Sequence, residues 1–193
     1  MMDYNTWIRE IHENAVAHGW WDEKRTEDEL MLLAVSEVSE ALEEYRRGRP
    51  MVYALEIDAD GEPRYTEDLA AIRAKNLKPE GIAIELVDCA IRCLDRIGAS
   101  AAEWWIKEAD VTLLEQEAAK KTFAQLGAHI TYELSQIWGQ ENYEGIVMAY
   151  SARVAVYALA WVSAHSGHDA EELLRLKHEY NKTRSYRHGG KRL

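Results

Sequence analysis

The chain has 193 residues, of which 47% are apolar and 30% charged, enough for one compact domain with a substantial core. Its formal net charge of −11 argues against a protein that coats nucleic acid or an anionic membrane. The two cysteines, Cys89 and Cys93, lie too close for a disulfide framework, so we expect buried thiols and a cytoplasmic setting. No apolar run is expected to span a membrane, and the N-terminus lacks the pattern of a secretion signal.

Helical periodicity extends through the chain, and no segment alternates apolar and polar residues long enough to predict a strand. The expected fold class is therefore all-α, a helical bundle. A first helix is predicted over about 4–18, and a second over 26–47, opened by a capping box and ended by a glycine. The weaker pattern over 49–79 predicts a mobile loop with one short helix at 67–75.

The second part of the chain continues the helical pattern. A third helix is predicted from about Pro79 to Gly98, and a capping box of Ser100 and Glu103 opens a fourth that extends to Phe123. Further helices are predicted over 128–138, 143–165 and 169–183, followed by a basic tail.

The domain organisation allows two interpretations. Segment 97–103 aligns with 166–172, and 33–42 with 126–135, which predicts either a tandem duplication or unrelated helices that end alike. On both interpretations the whole chain is one all-α domain. The duplication divides it into an acid-bearing half at 1–100 with the 49–79 loop, a degenerate repeat at 101–168, and a C-terminal helix with its basic tail at 169–193.

Two pairs of acids carry the sharpest chemical signal. Glu37 and Glu40 lie on the second predicted helix, and Glu85 and Asp88 on the third. Spacing of three residues puts each pair on one helical face, so two packed helices can bring four carboxylates together. Apolar neighbours surround both pairs, and partly buried acids need a compensating cation. Hard oxygen ligands favour Mg²⁺ or Mn²⁺ over zinc, whereas the alternative is a pair of solvated helix faces.

The positive charge is concentrated at the C-terminus. Lys177, Asn181 and Arg184 share one predicted helical face, and Lys191 follows two glycines, an arrangement that suits phosphate oxygens. The alternative is a solubilising tail.

The aromatic residues allow two interpretations as well. His18 and Trp21 flank a turn where an indole ring can stack on a nucleobase, although a tryptophan pair fits a core plug equally. The remaining tryptophans outside the first helix are expected in the core or at an interface: Trp104, Trp105, Trp138 and Trp161.

These motifs resemble those of the MazG-like all-α nucleoside triphosphate pyrophosphohydrolases, a superfamily that includes dimeric dUTPases and dCTP pyrophosphatases. The matching motifs are Glu37-Val-Ser-Glu40, Glu85-Leu-Val-Asp88, Lys177-x-x-x-Asn181 and Tyr186-Arg-His-Gly-Gly-Lys191. The resemblance covers about 7–48, 80–100 and 169–191.

The resemblance implies an enzyme that hydrolyses an NTP or dNTP between the α and β phosphates, giving a nucleoside monophosphate and pyrophosphate. It implies Mg²⁺, or Mn²⁺, on the four acids, with Glu37 as combined ligand and general base and Glu40 as the alternative base. The phosphates would be held by Lys177, Asn181, Arg184 and Lys191, and His18 and Trp21 would face the nucleoside. Neither a polymeric nucleic acid nor a membrane is an expected partner, whereas a homo-oligomer, dimeric or tetrameric, is.

Two competing functions remain open at this point. The first is a catalytically silent nucleotide-binding protein, and the second is a helical interaction module whose acids are solvated. A di-iron bundle is disfavoured because no histidine follows a glutamate by three residues.

Overall fold

The protein folds into a mostly helical bundle, as predicted. The structure, a computed structural model, describes residues 2–58, 60–100, 106, 108–140 and 143–187, and within them 66% helix in eight helices, with three short strands. The helices are α1 (Tyr4–Ala17), α2 (Glu27–Arg46), α3 (Leu69–Ala74), α4 (Ile82–Gly98), α5 (Glu108–Ala118), α6 (Phe123–Ser135), α7 (Glu144–His165) and α8 (Ala170–Lys182). The strands are β1 (Tyr53–Ile57), β2 (Pro63–Thr66) and β3 (Pro79–Glu80).

The core forms around α4 and α7, which pack along each other. Helices α1, α2 and α8 pack on α4, while α5 and α6 pack on α7. Eleven of the 17 residues of α4 are buried, among them both cysteines, as predicted. Because α2, α4 and α8 are neighbours, side chains on their facing stripes can meet.

Local sequence signals explain where α2 and α4 begin. The Thr26 hydroxyl accepts from the Glu29 backbone N–H and the Glu29 carboxylate accepts from the Thr26 backbone, which confirms the predicted capping box. Helix α4 begins after Gly81, whose φ is +112° and where a side chain would lie 2.6 Å from the Met51 carbonyl oxygen. Only glycine allows this close approach, which fixes the start of α4 against the residues before β1.

The expectation that 49–79 contains no strand is wrong. Strands β1 and β2 form an antiparallel hairpin, and β3 pairs with the other edge of β1. The Asp58 carboxylate closes the turn by accepting from the backbone N–H groups of Asp60 and Glu62. The alternation of apolar and polar residues did not predict β1, because its exposed residues, Leu55 and Ile57, are apolar. The short helix expected at 67–75 is present as α3.

The predicted fourth helix is also wrong in its extent. Helix α5 ends at Ala118, and α6 begins at Phe123 behind a capping box of Thr122 and Gln125 that the sequence analysis missed. Glu103, Trp104 and Trp105 lie outside the described residues. Trp161 is buried, as expected, whereas 71% of the surface of Trp138 is exposed.

Helix α7 contradicts the expectation that no segment is long and apolar enough to span a membrane. Among the described residues it is the one helix that meets this length and composition, and 67% of its most apolar window is buried in the protein. Its composition matches its place at the centre of the bundle.

Candidate metal centre

Three of the four predicted acids converge between α2 and α4. One carboxylate oxygen from each of Glu37, Glu40 and Glu85 lies within 4.8 Å of the other two. Glu37 and Glu85 are buried, while Glu40 lies at the exposed rim. The spacing of three residues brings Glu37 and Glu40 together on α2, and Glu85 joins them from α4, whereas the predicted fourth member, Asp88, is not one of the three.

Burial and mutual repulsion disfavour ionisation of this cluster. Burial, together with the charge of the neighbouring Asp88 and against the opposing charge of Lys177, raises the pKa of Glu85 to about 8. Burial likewise raises the pKa of Glu37, with Asp88 adding to the effect and Arg92 opposing it. Both pKa shifts mean that ionising these carboxyl groups costs free energy in the folded protein. A bound cation would remove that cost.

Two cations of the chain already neutralise part of the cluster. The Lys177 Nζ lies 2.7 Å from Asp88 Oδ2 and 3.3 Å from the Pro79 carbonyl oxygen, and Lys177 is buried. The Arg92 Nε donates to Glu37 Oε1 at 3.0 Å. Within the described residues, Glu40 and Glu85 form no ion pair. Two carboxyl groups of the cluster, the exposed Glu40 and the buried Glu85, are therefore left free to bind an external cation.

Arg92 is a site residue that the sequence analysis missed. It lies four residues after Asp88 and seven after Glu85, so the three share one stripe of α4. A charged residue at that spacing in an otherwise apolar helix is a usable signal, because it places a guanidinium beside the acids.

A cleft of about 70 Å³ opens beside the acids, between α1, α4 and the C-terminal end of α8. Polar residues from all three elements line it: Asn14, His18, Asp88, Arg92, Asp95, His178, Asn181 and Arg184. Burial lowers the pKa of His178 to about 4, so this imidazole is neutral. The Nε2 of His178 and the Oδ1 of Asn181 are buried without a hydrogen bond among the described residues. The His178 Nε2 lies 3.9 Å from Glu10 Oε2, a residue that does not line the cleft, so the Asn181 Oδ1 is the acceptor of the two that a polar ligand in the cleft could satisfy.

The predicted phosphate-binding residues divide into three cases. Lys177 points to Asp88 and has its charge satisfied inside the protein. Asn181 and Arg184 line the cleft, and the Arg184 guanidinium, half-buried, forms no ion pair with another described residue. Lys191 lies outside the described residues. Asn181 and Arg184 are therefore the predicted groups that remain able to meet an anion.

The two predicted nucleoside-binding residues differ in position. His18 lines the cleft, and its Nδ1 lies 2.8 Å from the Asn14 carbonyl oxygen. The Trp21 Nε1 instead donates to both carboxylate oxygens of Asp95, at 3.0 and 3.2 Å, and the ring packs edge-on against His12. Trp21 lines a shallow neighbouring pocket, whereas Trp20 lines the cleft itself.

A larger cavity of about 420 Å³ lies at the N-terminal end of α8, among α1, α5 and α7. Its charged lining consists of carboxylates, Glu115, Asp169 and Glu171, beside apolar residues of α7. These acids repel phosphate oxygens, so the smaller cleft next to Arg184 is the better place for an anionic ligand.

A second polar cluster lies between α6 and α7. The buried Glu133 accepts two hydrogen bonds of 2.8 Å from Arg153, and the His129 Nε2 lies 3.3 Å away. The buried Tyr157 donates its hydroxyl to Glu117. Here every buried carboxylate has a cation within reach, unlike the cluster on α2 and α4.

Neither protein-family models, nor curated proteins, nor solved structures give a significant match to this chain. The resemblance to the MazG-like enzymes therefore depends on the sequence motifs alone, and it stays a prediction.

Proposed function

We propose that the protein is a metal-dependent nucleoside triphosphate pyrophosphohydrolase of MazG-like type, which cleaves the α-β phosphate bond of an NTP or dNTP. The observation that carries this proposal is the convergence of Glu37, Glu40 and Glu85 within 4.8 Å, next to a cleft lined by Arg184, which has no ion-pair partner among the described residues. Carboxylates and a cation side by side suit a substrate that brings both phosphate and a divalent metal ion.

The donor set fits Mg²⁺ or Mn²⁺. It consists of carboxylate oxygens, two of them from buried residues with raised pKa values, and a hard divalent ion compensates such charges. Glu37, Glu40 and Glu85 would hold the ion, with Asp88 beside them. When bound, the ion would neutralise phosphate charge and acidify a water molecule.

The remaining steps belong to the chain's own residues. Glu37 is the proposed proton acceptor for the attacking water, and Glu40, which is exposed, is the alternative. Arg92 orients the Glu37 carboxylate through its hydrogen bond, as Lys177 orients that of Asp88. Arg184 and Asn181 would hold phosphate oxygens, Lys191 would assist, and His18 would face the nucleoside.

The finer architecture is part of the same proposal. The packing of α2 on α4 corresponds to that of α6 on α7, and α4 and α7 pack on each other. This arrangement supports a tandem duplication in which the second half has lost the acids. The exposed apolar residues, such as Trp138, are consistent with a homo-oligomer, and a cytoplasmic nucleotide pool is the expected source of substrate.

A second candidate function is a catalytically silent nucleotide-binding protein. The ion pairs of Arg92 with Glu37 and of Lys177 with Asp88 favour it, because both acids are already neutralised inside the protein. The two candidates share the cleft and differ in turnover.

The experiment is to incubate the protein with each NTP and dNTP, plus Mg²⁺ or Mn²⁺, and to identify the products. We expect a nucleoside monophosphate and pyrophosphate from at least one substrate. Orthophosphate with a diphosphate would contradict the assigned bond, and binding without any product would establish the silent alternative.

A further inference from the structure

The chain after α8 folds back across the turn between α1 and α2. We call residues 184–187 the C-terminal strap. The Arg187 backbone N–H donates to the His18 carbonyl oxygen at 3.0 Å, and the Arg187 Nε donates to the Gly19 carbonyl oxygen at 3.0 Å. These bonds connect the end of the chain with a turn about 165 residues earlier in sequence.

Side chains add to this attachment. The Arg187 guanidinium lies 3.2 Å from Glu23 Oε1, and the Tyr186 hydroxyl donates to Asp22. Two backbone carbonyls and two carboxylates of the turn thus accept from two consecutive strap residues. The turn thus holds the far end of the strap, while at its near end the Arg184 backbone N–H donates to the Asn181 carbonyl oxygen of α8 at 3.2 Å.

Gly19 is shaped for this contact. Its φ is +75°, and a side chain there would lie 2.1 Å from Tyr186 Cε2. A real side chain at position 19 and the Tyr186 ring cannot occupy the same space, so the ring seats on the turn because residue 19 is glycine.

The attachment fixes the position of Arg184. This residue lies at the start of the strap, two residues after α8 ends, and lines the cleft together with Asp88, His18 and Asn181. The strap's own anchor, the His18 carbonyl, belongs to a residue that lines the same cleft. With α8 on one side and the turn on the other, both ends of the segment that carries Arg184 are held.

We propose that Tyr186 and Arg187 are positioning residues, whose docking on the turn holds Arg184 where it contacts the phosphate oxygens of the bound nucleotide. This inference rests on the proposed nucleotide site but not on its turnover. In this proposal neither Tyr186 nor Arg187 touches the substrate. Their effect is transmitted through Arg184, because an arginine on an undocked chain end loses the ordering that makes a charged hydrogen bond favourable.

The test compares two glycines with similar backbones. In Gly19→Ala a methyl group collides with Tyr186, whereas in Gly167→Ala, at φ +77°, nothing lies within 4 Å. The strain of a left-handed alanine is the same in both, so a difference between them reports the strap. If Gly19→Ala does not fold, Tyr186→Phe and Arg187→Gln supply the same test. Both change side chains that are exposed or half-buried, so the fold should tolerate them.

Two readouts are needed: hydrogen exchange of the 184–187 amides, and the dissociation constant of an α,β-methylene nucleoside triphosphate with Mg²⁺. For Gly19→Ala and Arg187→Gln we expect faster exchange and about tenfold weaker binding, and for active protein a higher KM with kcat little changed. Gly167→Ala should match the wild type in both readouts.

The outcomes separate the two proposals. If the wild type binds the analogue and Gly19→Ala and Arg187→Gln bind it equally well, the positioning role is wrong while the nucleotide site stands. If the wild type binds none of the nucleotide analogues tested, the proposed function fails and the positioning role fails with it.

Discussion

The bundle has two polar clusters, one between α2 and α4 and the other between α6 and α7. They differ in how the negative charge of their buried carboxylates is compensated. Glu133 receives both hydrogen bonds of a single arginine, Arg153, and needs nothing from outside. On α2 and α4 the acids outnumber their cations, because Arg92 and Lys177 each satisfy one carboxylate and leave Glu40 and Glu85. A buried acid with a partner is compensated within the fold, whereas a surplus of acids indicates a place for a bound cation.

The largest difference is expected in turnover. Glu85→Gln keeps the shape of the side chain but removes a carboxylate from the surplus, so pyrophosphate release should fall at least about 100-fold. Glu133→Gln is the matched control in the other cluster and should leave kcat within about twofold in protein that remains folded. The measurement is pyrophosphate release per folded protein, and full activity in Glu85→Gln would refute the acid cluster as the site.

The effect of Mg²⁺ on stability should differ between variants that lack Arg153 and variants that lack Arg92. Arg153→Met leaves Glu133 buried without its main cation, and should lower the free energy of unfolding by about 2 kcal/mol with or without Mg²⁺. Arg92→Met leaves Glu37 in the same condition, yet a metal ion can replace the lost charge there.

We therefore expect Mg²⁺ to recover stability in Arg92→Met and not in Arg153→Met, measured by urea unfolding at matched ionic strength. Equal recovery in both variants, or in neither, would mean that the two clusters do not differ in metal binding.

A smaller effect is expected in the pH dependence of the metal-free protein. The pKa of Glu85 is raised to about 8 in the folded protein, so its contribution to stability is fully present below about pH 4.5 and is lost as the pH rises through about 8. Over this range the free energy of unfolding should fall by roughly 2 kcal/mol more in the wild type than in Glu85→Gln.

Denaturant unfolding across this pH series, with metal removed by chelation, measures the difference. If Glu85→Gln has the same pH dependence as the wild type, Glu85 is not the group that repels its neighbours.

Local sequence signals predicted where α2 and α8 begin, although the capping box that opens α6 was overlooked. Helix α2 has a capping box at Thr26, and α8 begins behind Asp169, whose carboxylate accepts from two backbone N–H groups. The β1–β2 hairpin was not predicted, because its exposed face carries Leu55 and Ile57, which reverses the usual pattern of polar residues facing solvent. Whether an apolar residue lies inside depends on what packs on it, and one sequence does not contain that information.

The acids of the site were predictable and their partners were not. Spacing of three residues is a property of one helix, so Glu37, Glu40, Glu85 and Asp88 could be grouped before the fold was known. The pairing of Trp21 with Asp95, 74 residues apart, depends on how α1, α2 and α4 pack. The same holds for Lys177 and Asp88, whose ion pair turns an expected phosphate ligand into an internal counter-ion.

The most direct test of the central claim is isothermal titration calorimetry of the metal-free protein with Mn²⁺. The wild type, Glu85→Gln and Glu133→Gln are each titrated. The account predicts that Mn²⁺ binds the wild type and Glu133→Gln with equal affinity, and binds Glu85→Gln at least about tenfold more weakly. Equal affinity for the wild type and Glu85→Gln would contradict it, since the surplus of acids between α2 and α4 would then not be where the cation binds.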